Sequence, residues 1–265
     1  MRSLYISLIS EFYKSRKTLA FWAAILLPVI ICTLVSFGFY TSADKILAFK
    51  FSGVMLWARY SSATLNVMGI LIMPFYVIFM AFSVNNIEHK NDTWKTLFAQ
   101  PLNKFSIYAA KYLYAVLLIF ICMLLFAALT IGFGYALQAL IPKYTFNQYN
   151  PTTFLLNSYA KLFLSSLGIL SLQFILSLIW ADFLKPMGVG FVGTIMGIVT
   201  ASLNWQYAYL IPYSLPALAL QITKVKQGGD PLAFEVFTRE IYTSLIFAAV
   251  FFIIGYFVVS KKSIK

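Results

Sequence analysis

Charged side chains are scarce in this sequence. Only 11% of the 265 residues are Asp, Glu, Lys or Arg, whereas 61% are hydrophobic. A soluble domain of this length carries roughly 25% charged residues, so a water-soluble fold could not hide this much apolar surface. Lipid is therefore the expected solvent for most of the chain. The length leaves room for one membrane domain with its loops, and none for an added soluble catalytic domain.

Catalytic and metal-binding side chains are equally scarce. His89 is the single histidine, and one histidine cannot build a zincin-type metal site. Cys32 and Cys122 both lie inside apolar runs, which is typical of buried packing residues rather than of a disulfide or a metal site. No pair of acidic residues falls within an apolar run, which disfavours an intramembrane enzyme. No Gly-x-x-x-x-Gly-Lys-Ser/Thr segment is present, so no nucleotide or other cofactor is expected in this chain itself.

Six apolar runs are long enough to cross a bilayer, for which about 20 residues are needed. None of them contains Asp, Glu, Lys, Arg or His. They cover residues 19–39, 64–84, 112–137, 162–180, 187–205 and 241–259. An open sheet at this depth would leave backbone groups unpaired in lipid. The sequence therefore predicts an all-α integral membrane protein with six transmembrane helices in a single domain over residues 1–265.

Basic residues indicate how these spans are oriented. With the N-terminus inside, the inner segments hold 12 Lys and Arg in 57 positions, and the outer segments hold 8 in 83. This bias predicts that both termini are cytoplasmic. The net charge of +12 is then explained by span ends and anionic lipids rather than by nucleic acid. The charged residues between Glu11 and Lys17 also disfavour a cleavable signal peptide at the N-terminus.

The first residues have the pattern of an amphipathic helix that lies on the inner membrane surface. Apolar residues recur at helical spacing, and polar residues fill the other face. The apolar set is Leu4, Tyr5, Leu8, Ile9, Phe12 and Tyr13, and the polar set is Ser3, Ser7, Ser10, Glu11 and Lys14.

The long inner loop, residues 85–111, has the pattern of a short helix. Asp92 or Asn91 can cap it, and Pro101 ends it. A second helix can begin near Asn103 and continue into the third span. The loop could be a solvated hairpin, but Trp94, Leu97 and Phe98 would form an apolar face, which needs something to cover it.

The stretch that follows the fifth span has no charge and is interrupted by Pro212 and Pro216. It predicts a re-entrant segment at 206–223, between spans five and six, which shielding by protein would make tolerable. A seventh span is the alternative, and it would place the basic C-terminus outside.

Small and polar residues inside the spans suggest contacts between helices. Gly193, Gly197 and Ala201 form a stripe that lets two helices approach closely, either within one chain or between two copies. Gln173 can form a hydrogen bond between helices or belong to a substrate path. Pro28 and Pro74 can be simple kinks or can shape a cavity or gate.

Taken together, these residues resemble a type-2 ABC transporter permease, the membrane subunit of an exporter that recruits a separate ATPase. The resemblance rests on Glu11-Phe-Tyr-Lys-Ser-Arg-Lys17 before the first span and on Glu88-His-Lys-Asn-Asp-Thr-Trp-Lys-Thr-Leu97 in the inner loop. Pro101, Ser106 and Lys111 then lead into the third span, and the re-entrant stretch also fits. It implies that the loop helix is a coupling helix seated in the ATPase. The implied coupling residues are Glu88, Asp92, Thr93, Trp94, Lys95, Leu97 and Phe98.

The resemblance also implies partners and a location. Two ATPase subunits would bind ATP and Mg, and a second permease chain would face this one across the first and fifth spans, through Gly193, Gly197 and Ala201. The location would be the bacterial cytoplasmic membrane. The short, lysine-ending tail is most similar to permeases that protect bacteria against lantibiotic peptides. The rival interpretation is an ATPase-independent channel or membrane scaffold.

Overall fold

The computed structural model describes residues 2–91, 93–99, 101–221, 232 and 234–261, and these residues form helices and loops without a strand. Six helices are long and apolar enough to cross a membrane, which confirms the predicted number. They are Leu19–Thr41 (α2), Gly53–Lys90, Lys104–Leu140 (α7), Thr152–Ile179 (α8), Leu184–Ser202 (α9) and Arg239–Lys261 (α11). The shorter helices are α1 (Arg2–Ser15), α3 (Ala43–Ala48), α6 (Trp94–Ala99) and α10 (Leu215–Leu220).

The second spanning helix differs most from its predicted range, 64–84. It consists of α4 (Gly53–Asn66), a π-helical turn (Val67–Ile72) and α5 (Met73–Lys90). The sequence analysis ended each span at the nearest charged residue. In the structure the helix continues past charged residues that have a partner. Arg59 lies over the ring of Phe51 at 5.5 Å, and Glu88 is buried beside lysines.

The π-helical turn has a local cause in the sequence. Pro74 has no backbone N–H, and its ring crowds the carbonyl of Ile70, four residues earlier. A widened turn before the proline relieves that contact, and the turn ends at Ile72. Gly69 lies in this turn, where any Cβ would collide with Leu220 and Leu162. The bulge therefore allows the second span to pack closely against α8 and α10.

The core lies around α8, which packs against α5, α7, α10 and α11, while α2 packs along α7. Buried hydroxyl groups join the first four spans. Tyr159 donates to Thr64 at 3.3 Å and lies 3.0 Å from the hydroxyl of Thr130, and Ser36 lies 2.7 Å from the hydroxyl of Tyr60. Because a polar group without a partner is costly in an apolar interior, these bonds also fix how the helices are rotated against each other.

The charge-free stretch after α9 forms no seventh spanning helix in the part that the structure describes. It folds into two short 3₁₀ turns, Ala208–Leu210 and Pro212–Ser214, followed by α10. The hydroxyl of Ser214 donates to the carbonyls of Ala208 and Ile211, which stabilises the irregular backbone. This short-helix segment packs against α8, α9 and α11.

Candidate functional site

Helix α1 reverses the arrangement that is usual for a surface helix. Its polar residues Ser7, Glu11 and Ser15 are buried, because this face packs against α7. Tyr5 and Phe12, on the apolar face, are exposed. A face of this kind suits a membrane interface. The amphipathic helix is therefore present, but its polar side is turned toward the protein.

Four charged side chains meet where α1, α5 and α7 come together. The ammonium group of Lys111 donates to Glu11 Oε2 at 2.8 Å and also to Glu88. The ammonium group of Lys14 lies 3.1 Å from each of the same two carboxylates. We call Glu11, Lys14, Glu88 and Lys111 the charge cluster. It holds two negative and two positive groups, so its formal charge is zero.

The charge cluster is enclosed rather than solvated. The side chains of Glu11, Glu88 and Lys111 are at most 3% exposed, and that of Lys14 is 31% exposed. Charges at this depth are tolerated only where opposite charges and hydrogen bonds compensate for lost water. Burial opposes the charged form of Lys14, but the carboxylates of Glu11 and Glu88 outweigh it and raise the pKa of this lysine. The cluster therefore fastens α1 to the inner ends of two spans.

Helix α6 is attached beside the charge cluster. The indole of Trp94 donates to Nδ1 of His89 at 3.3 Å, and His89 Nε2 lies 2.9 Å from the carbonyl oxygen of Ser177. Since a carbonyl only accepts, His89 carries its proton on Nε2 and accepts at Nδ1. The Lys111 ammonium group also lies 5.7 Å from the centre of the Trp94 ring. Helix α6 is thus bonded to α5, to α7 and, through His89, to α8.

The predicted coupling residues do not share one outward surface. Glu88 is 1% exposed and points into the charge cluster. Trp94 and Leu97 are partly buried and pack against the core of the same chain, which accounts for these two members of the apolar face. The backbone N–H of Thr93 donates to the carbonyl of Glu88 at 3.1 Å. Among the described side chains of α6, Thr96 is the exposed one, and the sequence did not single it out.

The other predictions for the inner loop are partly confirmed and partly wrong. Helix α6 ends before Pro101, and Asn103 caps α7 by accepting from the N–H of Phe105 at 2.9 Å, as predicted. Asn91 does not cap α6. Its amide donates to the carbonyl of Ile87 at 2.8 Å and closes α5 instead. Asp92, and the side chains of Lys95 and Phe98, lie outside the described residues.

A groove of about 860 Å³ opens beside the charge cluster, between the adjacent ends of α1, α2, α5 and α9. Phe79, Phe82 and Phe183 line its apolar part. Lys90 and Asp182 contribute charges of opposite sign. The groove therefore offers both an aromatic wall and polar groups, which is a suitable lining for an amphipathic molecule.

The glycine stripe is used within the chain. A Cβ on Gly193 would lie 2.5 Å from the ring of Tyr213, and one on Gly197 would lie 2.5 Å from the Tyr213 carbonyl carbon. Ala201, the third member, is 2% exposed. Of the two possibilities that the sequence left open, the structure shows packing against the short-helix segment. The stripe therefore packs within the chain, and its predicted contact with a second copy stays a prediction.

The predicted path residues are buried inside the bundle and do not line the groove. Gln173 is 1% exposed, and its amide donates to the hydroxyl of Tyr213 at 2.6 Å. It forms the contact between elements that was one of its two interpretations. Pro28 is buried within a continuous α2, and Pro74 follows the π-helical turn. The structure thus gives Pro74 a role in the shape of its helix.

Comparison with known families decides the class of this protein. Residues 7–197, from α1 through most of α9, match the model of the ABC-2 family transporter protein. The chain belongs to this family. No curated protein and no solved structure gives a significant match. This ABC-2 protein is therefore a multi-pass membrane transport subunit, of a family whose members generally work with an ABC ATPase.

Sequence reasoning found the parts of the site in this ABC-2 protein but not their pairing. Glu11, Glu88 and Lys111 were all part of the resemblance, whereas their common burial was not expected. The sequence contained one indication of this pairing. Lys111 follows Lys104 by seven residues in a helix that is otherwise apolar for most of its length, and a lone charge in such a helix needs a counter-charge. His89 was treated as a loop residue, yet it joins Trp94 to α8.

Proposed function

We propose that the chain is the permease subunit of an ATP-driven exporter. In this proposal two copies of the chain work with two ATPase subunits, which bind ATP and Mg. Both termini lie in the cytoplasm, and the membrane is the bacterial cytoplasmic membrane. The substrate is amphipathic or hydrophobic, such as a peptide antibiotic, a lipid or a drug.

The observation that carries this proposal is the attachment of α6. A helix that transmits force must be fixed to the spans that move, and α6 is fixed through Trp94, His89 and the adjacent charge cluster. A solvated loop would need none of these bonds. The exposed side, at Thr96, is left for a partner. The docking surface in this proposal is therefore the face of α6 opposite Trp94.

The lining of the spans favours the substrate class. The large groove lies where the proposed first, second and fifth spans diverge, and phenylalanine rings form much of its wall. Burying a charged solute along uncharged spans would be costly, whereas an amphipathic molecule can place its polar end against Lys90 or Asp182.

The proposed dimer contact can extend beyond the glycine stripe. Spans one and five each present an exposed apolar face on the side away from the core. These faces include Trp22, Leu26, Ile30, Leu34, Phe37, Phe191, Val192, Ile195 and Met196. Pairing of two chains through such faces would enclose the groove between them. This pairing would use the side of α9 that does not contact Tyr213.

Co-purification with an ABC ATPase, sought first among the products of neighbouring genes, tests this proposal. Thr96→Arg should prevent assembly, because it places a large cation on the docking face. Trp94→Ala should permit assembly but reduce the stimulation of ATP hydrolysis, because it loosens α6 from the bundle. Trp205→Ala removes a half-exposed tryptophan far from α6 and is the matched control. A chain that conducts or transports without any ATPase would instead establish the channel interpretation.

A further inference from the structure

Lys161 is a buried cation that the proposed coupling mechanism does not use. It lies on α8, sixteen residues before Ser177, which corresponds to about 24 Å along the helix. It is therefore at the opposite end of the bundle from the charge cluster. The residue is 5% exposed, and it makes no ion pair or hydrogen bond with any residue that the structure describes. Its ammonium group lies 5.6 Å from the ring centre of Phe234.

A lysine in this position requires compensation. Burying a lysine without a counter-charge is unfavourable, and a cation–π contact offsets only part of that cost. Glu240 is an acidic residue close enough to interact electrostatically with Lys161, but it forms no ion pair with it. The described part of the chain therefore leaves this charge incompletely neutralised.

Lys161 lines a cavity that can supply the missing anion. The cavity has a volume of about 60 Å³. One water molecule needs about 10–15 Å³ of such space, so a group of several heavy atoms fits, for example a tetrahedral phosphate. Ser158 lies on the same buried wall as Lys161, and Ser62 and Asn66 form the opposite, exposed wall. Neither Ser62 nor Asn66 uses its side chain in a hydrogen bond within the described residues.

The rest of the lining is apolar and favours a lipid over a free ion. It consists of Leu65, Phe154, Ala219, Leu220 and Phe234. Ser62 and Asn66 are exposed residues of α4, so they form the accessible side of the cavity. An anion attached to acyl chains can enter from that side while its chains stay outside. A small hydrated anion would gain nothing from the apolar walls.

We propose that this cavity binds the phosphate group of an anionic membrane lipid. Lys161 neutralises the phosphate, and Ser62 and Asn66 donate hydrogen bonds to its oxygens. The lipid belongs to the leaflet opposite α6, so the site is separate from the proposed ATPase docking surface. The site is formed by α4, α8, α10 and the residues just before α11, and its occupation holds these elements together.

Lipid titration of the purified full chain in detergent tests the site. Phosphatidylglycerol, which carries a net negative charge, should raise the melting temperature and remain bound in native mass spectrometry. Phosphatidylcholine with the same acyl chains should do neither. Lys161→Met should weaken phosphatidylglycerol binding about tenfold or more, equal to about 1.4 kcal/mol or more. Lys143→Met, an exposed lysine at the same end of the bundle, should leave binding unchanged.

Two further variants separate the lipid from an internal partner. Lys161→Arg should retain the preference for phosphatidylglycerol, because it keeps the charge. Glu240→Gln should strengthen binding, because it removes a competing negative charge. If instead Glu240→Gln destabilises the protein and phosphatidylglycerol has no effect, Glu240 is the counter-charge and the proposal fails. It also fails if millimolar inorganic phosphate displaces the lipid, or if Lys161→Met binds the lipid as well as the unmodified chain.

Discussion

Replacing Lys111 with methionine should be the most damaging single change in the charge cluster. Lys111 is 1% exposed and is bonded to both carboxylates. Methionine has a similar length and no charge, so packing is largely kept. The variant changes the formal charge of the cluster from zero to −1. It leaves Glu11 and Glu88 with Lys14 alone, and Lys14 reaches them from the rim.

The structure predicts a larger loss of stability for Lys111→Met than for Lys14→Met. Removing one partner of a buried ion pair costs about 3–5 kcal/mol. In a protein of this size that corresponds to a melting temperature lower by about 6–20 °C. Lys14 is 31% exposed, so solvent screens its ion pairs and Lys14→Met should cost only about 0–1 kcal/mol, or about 0–4 °C. The two lysines contact the same carboxylates and differ chiefly in burial, although Lys111 also donates to the carbonyl of Val84 at 3.3 Å.

Tryptophan fluorescence during heating in lipid nanodiscs measures both variants under the same conditions. The double variant Lys111→Met/Glu88→Gln returns the cluster to zero charge and should recover part of the lost stability. A Lys111→Met variant that melts within about 2 °C of the unmodified chain would refute the argument from burial. So would a larger loss in Lys14→Met than in Lys111→Met.

Three further outcomes follow from other contacts. Gly193→Ala should lower the melting temperature, because its Cβ would lie 2.5 Å from the ring of Tyr213, whereas Gly188→Ala, with open space around the added atom, should not. Tyr213→Phe should cost about 1–3 kcal/mol in thermal unfolding, because it leaves the buried amide of Gln173 without its acceptor. The pKa of Lys14 is raised above its usual 10.5. The stability that Lys14 contributes should therefore be constant near neutral pH and decline as pH rises above about 10.5, and Lys14→Met should make the fall in melting temperature over that range smaller.

The number of spans could be predicted because lipid imposes a simple rule on sequence. A stretch of about 20 residues without charge has few alternatives to a membrane helix. The ends of the spans could not be predicted by the same rule, since it treats every charge as a boundary. Arg59, Lys161 and Glu88 all lie within helices, where an aromatic ring or a buried counter-charge lies beside them.

The sequence predicted where the candidate site lies, but it did not predict how the side chains of the site are arranged. Helical spacing shows that Trp94 and Leu97 share a face of α6, but spacing does not show what covers that face. In the structure the covering surface is the chain itself. Likewise, the polar face of α1 is compatible with water or with protein. The choice depends on Lys111, which is 100 residues from Glu11 in sequence and 2.8 Å away in space.

The bonds around α8 connect the loop helix with the short-helix segment through a single turn. Ser177 receives the hydrogen bond of His89, which holds Trp94 of α6. Gln173, four residues earlier and so on the same face of α8, holds Tyr213. A rigid helix transmits a displacement over one turn with little loss, whereas loops absorb it. Movement of α6 would therefore reach Tyr213, and with it the glycine stripe of α9, without passing through any flexible connection. The charge cluster holds α1, α5 and α7 at the same end, so that such a movement would rotate these elements together.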